Sequence, residues 1–249
     1  MVDGKKEDDF DYVIALQFSP DSHHLVYLAA QKDNWFLVRD GKHPTDWVAD
    51  FFGVTFSPDS NRMAFAASLP NKRQALILDN VKCEEFNMVS SPIFSSDGKK
   101  VAYVAKSGRE WFTVTDGKRG PSFDRLGPPV FDAEGRETIT VATKDKKEFV
   151  LWGDQNGEKF DEIATGDGLV EPLNRSPISS TVAYRARVGG TRSKGEYEFK
   201  GAEWYIVVGN RKTGPFDQVW APQFSPDGKK VAFGARKGAD LWWKVVDSP

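Results

Sequence analysis

Cysteine is nearly absent from the chain. Cys83 stands alone, so no internal disulfide can form, a usage that fits the cytoplasm and is also compatible with the periplasm. Histidine is scarce too, with His23, His24 and His43 the full set. The sequence has no G-x-S-x-G elbow, no P-loop, no G-x-G-x-x-G and no C-x-x-C, which removes the usual nucleophile, phosphate and redox signatures. No apolar run is long enough for a spanning helix, which needs about 18 residues or more. Neither charge sign dominates: 34 basic and 36 acidic side chains leave a net charge of −2, so no global field drives the chain to nucleic acid or anionic lipid. The opening Met1-Val2-Asp3 carries no leader-like pattern. As it stands the sequence points to the cytoplasm, and to the periplasm if a leader has been removed.

What is present is a repeat. Six copies run through the chain, each a strand ending in turn residues, a second apolar strand, a third strand often starting in Trp, a turn, and a closing tetrad. First-strand anchors fall at Phe18, Phe56, Phe94, Phe131, Arg175 and Phe224, and third-strand starts at Trp35, Gln74, Trp111, Phe149, Trp204 and Trp242. The tetrads begin at Phe10 (FDYV), Thr45 (TDWV), Phe86 (FNMV), Phe123 (FDRL), Phe160 (FDEI) and Phe216 (FDQV). Repeats of about 40–45 residues with four strands each indicate propeller blades. Stretches such as 25–30 and 101–105 are apolar on successive residues, so both strand faces should be buried, as in blades stacked face to face. The last copy stops at Val246-Asp247, and its missing turn and fourth strand are found at Asp3-Gly4-Lys5 and residues 10–13. The expected fold is therefore all-β: one domain over 1–249, a six-bladed propeller closed by the N-terminal strand pairing with the C-terminal blade. Closure removes the exposed strand edges of an open array.

The turns have a mechanical reading. In Ser225-Pro226-Asp227-Gly228, Pro presets φ, Asp bonds back to the backbone and Gly accepts positive φ. The run from Phe224 through Lys229-Lys230-Val231-Ala232-Phe233 resembles the repeat of TolB-type propellers, the WD-like repeats of bacterial proteins. The resemblance covers essentially the whole chain. It implies a propeller of the kind that serves as binding platform, periplasmic accessory protein or non-catalytic domain of a peptidase, while composition agrees with a soluble domain and a monomer is expected. Copies four and five depart from it, with Asp132-Ala133-Glu134-Gly135 replacing the turn and Arg175 replacing the anchor Phe.

Most conspicuous residues read as structural. His23-His24 occupy positions held elsewhere by Asn61-Arg62 and Lys99-Lys100, a solvated hairpin tip, and zinc needs three or four convergent ligands. Asp11, Asp46, Asp124, Asp161 and Asp217 recur once per blade, too far apart to gather around one calcium. No metal and no cofactor is expected. Trp35, Trp111, Trp204 and Trp242 share one repeat slot and read as inter-blade packing. Cys83, in a loop with nothing adjacent to depress its pKa, reads as an unremarkable thiol.

Asymmetry between copies points to a site. The link from tetrad to next anchor is lengthened after copy one (Thr45 to Phe56) and copy four (Phe160 to Arg175), and copy five is lengthened between Arg175 and Trp204. These insertions should lie on one face, as binding loops of repeat arrays do. The candidate surface comprises loops 47–55, 164–174, 188–203 and 220–223. Its candidate binding residues are Phe51, Phe52, Asp167, Glu171, Arg175, Arg185, Arg192, Tyr197 and Trp220. Arg175 and Arg185 stand where sibling blades are apolar. Each would either form an internal ion pair, with Glu171 or Asp167, or grip an anionic ligand bidentately. No His maps to this face, which leaves no visible general base beyond Asp167, Glu171 or Glu196. The favoured function is a non-catalytic module binding a protein or peptide, with aromatics beside Arg as anchors. The alternative is binding or processing of a small anion, such as a sugar acid, near blade five.

Overall fold

The computed structural model describes residues 10–32, 34–45, 50–164, 173–191 and 199–249. Among these there is no helix, and the strands form six antiparallel sheets. They fall into two compact units, Met1–Arg119 and Gly120–Pro249. The first unit holds a sheet of Tyr12–Phe18, Leu25–Gln31, Asn34–Arg39 and Lys42–Thr45, then one of Asp50–Phe56, Met63–Ser68, Gln74–Leu78 and Val81–Phe86. Its third sheet has the split first strand Met88–Val89 and Ile93–Phe94, followed by Val101–Ser107, Glu110–Thr115 and Lys118–Arg119. The second unit repeats the plan around the long central strands Thr138–Lys144, Val182–Thr191 and Lys230–Lys237.

Within each unit consecutive sheets pack face to face. Val26 and Leu37 of the first sheet meet Met63, Phe65 and Ile77 of the second. The second sheet's other face, with Ala64 and Leu76, meets Val101, Tyr103 and Val114 of the third. In the second unit the fifth sheet is likewise covered on both faces. This is why the strands read as continuous apolar runs rather than alternating ones.

The anchors behave as the repeat predicts. Phe18, Phe56, Phe94, Phe131 and Arg175 each pair with the residue opening the second strand, and Phe224 pairs with Val231, the second residue of Lys230–Lys237. The turns between these strands are knit by side chains. Ser57 Oγ donates to Asp59 Oδ1 at 2.5 Å and accepts the Arg62 N–H at 2.9 Å. Ser19, Ser95 and Ser225 repeat the arrangement.

The tetrads correct the expected strand order. Rather than forming the fourth strand, those beginning at Phe86, Phe160 and Phe216 pass from one sheet to the next. Phe86 and Phe216 end the fourth strands of their sheets, opposite Gln74 and Trp204. The following residue already donates its N–H to the next sheet's second strand, Asn87 to Lys106 and Asp217 to Arg236, each at 2.9 Å. The tetrad's closing residue then lies opposite an alanine. Val13, Val89, Leu126, Ile163 and Val219 pair with Ala29, Ala105, Ala142, Ala186 and Ala235. All five alanines are fully buried, at 0 % exposure, because a larger side chain there would meet the closing residue beside it.

The tetrad Asp has a structural task as well. Asp11, Asp124, Asp161 and Asp217 accept the backbone N–H of Lys32, Asp145, Gly189 and Gly238 at the following hairpin, and Asn87 accepts that of Gly108. The tetrad Phe packs edge-on against the sheet it enters, Phe86 on Tyr103 and Phe112, Phe216 on Phe233 and Trp242.

Three further expectations are corrected. Tyr12 and Val13 pair with Ala30 and Ala29 of the first sheet, so residues 12–13 do not complete the last one. Among the described residues Asp240–Asp247 pairs only with Lys230–Lys237, and no closing pairing is present. Trp242 and Phe149 sit one residue past the Trp111 slot. Lys106 faces Trp111, whereas Arg236, its counterpart in the sixth sheet, faces Leu241 and Thr143 faces Glu148. Finally, 50–56 is strand, not loop. Phe51 lies opposite the fully buried Ala67, in the place held by Val89 and Val219 elsewhere. The link to the Phe56 anchor therefore has the ordinary length, and the extra residues of copy one precede it.

Candidate binding site

The fifth sheet differs most from its siblings. Where the first, third, fourth and sixth sheets turn tightly between second and third strands, Val182–Thr191 and Lys200–Val208 continue as a two-stranded ribbon, pairing Val188 with Glu203 and Thr191 with Lys200. Gly190 is required at the close crossing. It holds φ at 80°, and a Cβ there would stand 2.9 Å from the Ala202 backbone.

Arg187 fastens the base of this ribbon. Its Nε donates to Glu162 Oε2 at 3.0 Å, its Nη1 to the Gly189 carbonyl, and its guanidinium lies 3.8 Å from the centre of the Phe199 ring. Only 8 % of the residue is exposed. A guanidinium so placed satisfies its donors on one edge and lays its face on an aromatic ring. Asp161 supports the same junction, accepting from Lys147 Nζ at 2.6 Å and from the Gly189 N–H at 2.7 Å. The Lys147 bond and then the Gly189 bond hold its carboxyl below the usual range.

A second cluster lies where the fifth sheet meets the first strand of the sixth. Arg185 Nη1 donates to the Val219 carbonyl at 3.4 Å, and Asn174 Nδ2 donates to the Pro222 carbonyl. The loop 220–222, the break in that first strand, is thus held at both ends by side chains of the fifth sheet. Inside it, Trp220 donates its backbone N–H to Gly234 at 3.0 Å, and its half-buried indole lies over that glycine. Trp243, opposite Gly234 on the other side, is 81 % exposed, and Leu241 and Val245 of the same strand face are exposed with it.

The nine candidate residues are therefore distributed unevenly. Arg185 and Trp220 come together. Arg175 is exposed, and its Nη1 donates to the Phe131 carbonyl at 2.5 Å. Phe51 is a core residue at 4 % exposure, packed edge-on against Phe65, whereas Phe52 on the other strand face is exposed at 37 %. Asp167, Glu171, Arg192 and Tyr197 lie outside the described residues, as does Glu196. The sequence reading missed Arg187, Asn174 and Trp243. Arg187 and Asn174 were each one or two positions from a residue singled out for interrupting the apolar pattern. Trp243 was hidden behind Trp242, which resembled the repeat more closely.

Chemically, the first cluster joins two cation–carboxylate pairs to a backbone carbonyl and an aromatic face, and the second directs donors at backbone carbonyls beside an indole. Among the described residues no group of three or more His, Cys, Asp or Glu side chains could hold a metal ion. Cys83 is half-buried, and burial, then Asp79, pushes its thiol up rather than activating it. No helix of the described residues is long and apolar enough to cross a membrane.

No protein-family model and no curated protein matches the chain. Solved structures do. The β-propeller domain of the Trilobed protease from Pyrococcus furiosus is similar over 97 % of this chain and 82 % of its own, at 13 % identity and a TM-score of 0.51. A putative TolB from Agrobacterium tumefaciens is similar over 96 % and 91 %, at 14 % identity and a TM-score of 0.46. An oligogalacturonate lyase from Vibrio parahaemolyticus follows over 98 % and 79 %, at 12 % identity and a TM-score of 0.43. The likeness to the first shows the fold. This is a β-propeller chain. Identity at this level leaves function to the site itself.

Proposed function

We propose that the protein is a non-catalytic β-propeller module that binds a protein or peptide through the ribbon of the fifth sheet, the loop 220–222 and the insertion 165–172. The observation that carries this reading is the ribbon. Five copies do without it, it interrupts an otherwise regular repeat, and a buried Arg187 holds its base. Trp220 and Tyr197 are the aromatic anchors, with Arg192 and the acidic Asp167 and Glu171 as polar rim. Arg175 and Arg185 spend donors on carbonyls, which supports a scaffold role over the gripping of a small anion. The test replaces 190–200 with a two-residue turn. The shortened protein should melt within a few degrees of the parent and fail to capture the partner that the parent captures from native extract. Capture by both proteins alike would sink the proposal.

The module is read as one monomeric six-bladed domain of the bacterial TolB type. The N-terminal segment is expected to close its ring onto the C-terminal blade. Two features support this. The spacing from Asp3-Gly4 to Phe10 equals that from Asp116-Gly117 to Phe123, and Asp240–Asp247 has a free edge among the described residues. Exposed Leu241, Trp243 and Val245 add an apolar face of the kind the inner sheets bury. Deleting residues 1–9 leaves Tyr12 and Val13 in place and should lower the melting temperature and promote association. A truncated chain that melts like the parent rules closure out.

A further inference from the structure

In the third, fourth and sixth sheets the first strand breaks between the tetrad's closing residue and the anchor, and the break is held differently in each. In the third sheet Ser90 holds it: its Oγ donates to the Ser91 carbonyl at 3.1 Å and accepts the Val104 N–H at 2.9 Å. In the fourth, Thr140 of the same sheet donates to the Gly127 and Pro128 carbonyls at 2.8 and 3.3 Å. The sixth sheet has Trp220 in the place of Ser90 and Phe233 in that of Thr140, so neither hydroxyl is available. Its break is held from the neighbouring sheet instead. Arg185 Nη1 donates to the Val219 carbonyl at 3.4 Å and Asn174 Nδ2 to the Pro222 carbonyl.

Both donors are peculiar to the fifth sheet. Asn174 stands where the third and fourth sheets carry Ile93 and Val130, and Arg185 where they carry Val104 and Val141. Their own strands do not need these side chains, because Asn174 pairs with Ala183 and Arg185 with Ile206 through the backbone. The two carbonyls they hold bracket the loop that carries Trp220. Between them, Trp220 donates its N–H to the Gly234 carbonyl at 3.0 Å, and its indole lies against that glycine. The strand bearing Arg185 also bears Arg187, two residues on and hence on the same strand face. Arg187 fastens the base of the ribbon. One strand thus holds both the ribbon and the loop 220–222.

We propose that Asn174 and Arg185 are positioning residues, which set Trp220 in the frame of the fifth sheet so that the indole and the ribbon meet a partner as one preformed surface. The inference rests on the reading of ribbon and loop as the binding surface, and assigns to it two residues that touch no partner themselves. A short loop held at both ends gives up its backbone freedom on folding rather than on association, which favours affinity. Contact residues are kept in place by the groups that hold their backbone and rotamers. Here those groups come from the sheet that carries the other half of the surface.

Two substitutions already present at this register make the test. Asn174→Val copies Val130 of the fourth sheet, and Asn174→Gln copies Gln17 and Gln223 of the first and sixth. The readouts are hydrogen exchange at the Trp220 amide and the indole N–H resonance of Trp220, identified by its loss in Trp220→Phe. In Asn174→Val the Trp220 amide should exchange about tenfold faster, the equivalent of one hydrogen bond. Its indole signal should shift or broaden, while the Ala183 and Ile206 amides keep the parent's protection. Asn174→Gln should recover both Trp220 signals, since its amide still donates. Arg185→Val, which copies Val141, decides the matter if Asn174→Val does not fold. The protein that the parent retains from native extract should be retained several-fold less by Asn174→Val, as by Trp220→Ala. Trp220 signals unchanged in Asn174→Val overturn the proposal, as does an Asn174→Gln protein that behaves like Asn174→Val. Undiminished retention by a variant whose Trp220 signals have moved overturns it too, and leaves the ribbon reading intact. If the replacement of 190–200 retains the same protein as the parent does, the surface itself is misread and the proposal falls with it.

Discussion

Trp220 and Gly234 are matched to each other: a Cβ built on Gly234 would stand 3.0 Å from Cε3 of the Trp220 indole and 3.4 Å from Cζ3 of Trp243. The other sheets hold Leu28, Ala66, Val104, Val141 and Arg185 at this position, so the missing side chain is specific to the last sheet. Gly234→Ala should therefore destabilise by about 1 kcal/mol, the low end of overpacking, because a surface-facing indole can yield. Adding Trp220→Ala should recover part of that loss. Equal melting temperatures for the parent and Gly234→Ala would mean the indole moves without cost.

The buried alanines allow no such adjustment. Ala105 faces Val89 with no exposure and packs among Tyr103, Phe112 and Val114. Ala105→Leu should cost about 1–3 kcal/mol, since extra methylenes in a packed core force side chains off their rotamers. Denaturant unfolding of this variant beside an exposed control such as Val81→Leu tests it, and a change no larger than the control's would refute the packing argument.

Acid should act first on the Ser–Asp turns. The Ser57, Ser95 and Ser225 hydroxyls are the largest influence lowering Asp59, Asp97 and Asp227, and the backbone N–H groups of the turns add to them. A carboxyl whose folded pKa is depressed stabilises the fold above its unfolded value, here 3.8, and that contribution disappears as pH falls through the folded pKa. The melting temperature should thus drop below about pH 4, and Asp59→Asn should flatten that drop while lowering the plateau above it. An acid limb of unchanged slope in the variant would assign the effect elsewhere.

How much of this could be read from the chain follows from where its signals lie. The anchors were legible because Phe18, Phe56, Phe94, Phe131 and Phe224 each precede a turn with its own chemistry. The tetrads were not, because Phe86 and Val89 are three residues apart in one extended segment yet belong to different sheets. Nothing in their composition marks the crossing. Link one misled for a related reason. Thr45-Asp46-Trp47-Val48 resembles a tetrad, but strand pairing is decided by what fits opposite Ala67, and Phe51 does. Arg175 and Arg185 stood out as breaks in an apolar pattern. Each donates to a backbone carbonyl, a kind of contact that no side-chain inventory can reveal.

Arg187 is the strongest point mutation to make at the site. Its removal leaves Glu162 without its cation, the Gly189 carbonyl without its donor and Phe199 without the guanidinium against its face. A hydrogen bond to a charged group is worth about 1.5–3 kcal/mol and a desolvated cation–π contact about 2. Because these share one side chain and Glu162 remains partly solvated, the losses will not add. Arg187→Ala should cost about 2–3 kcal/mol of global stability. Arg187→Lys should recover only part of it, since an ammonium cannot hold Glu162 and the carbonyl while lying flat on the ring. The Gly189 amide should exchange faster in both variants, because the ribbon is released at its base. If Arg187→Ala melts like the parent and its ribbon amides stay protected, the ribbon is held by its strand pairing alone, and the guanidinium has no part in presenting it.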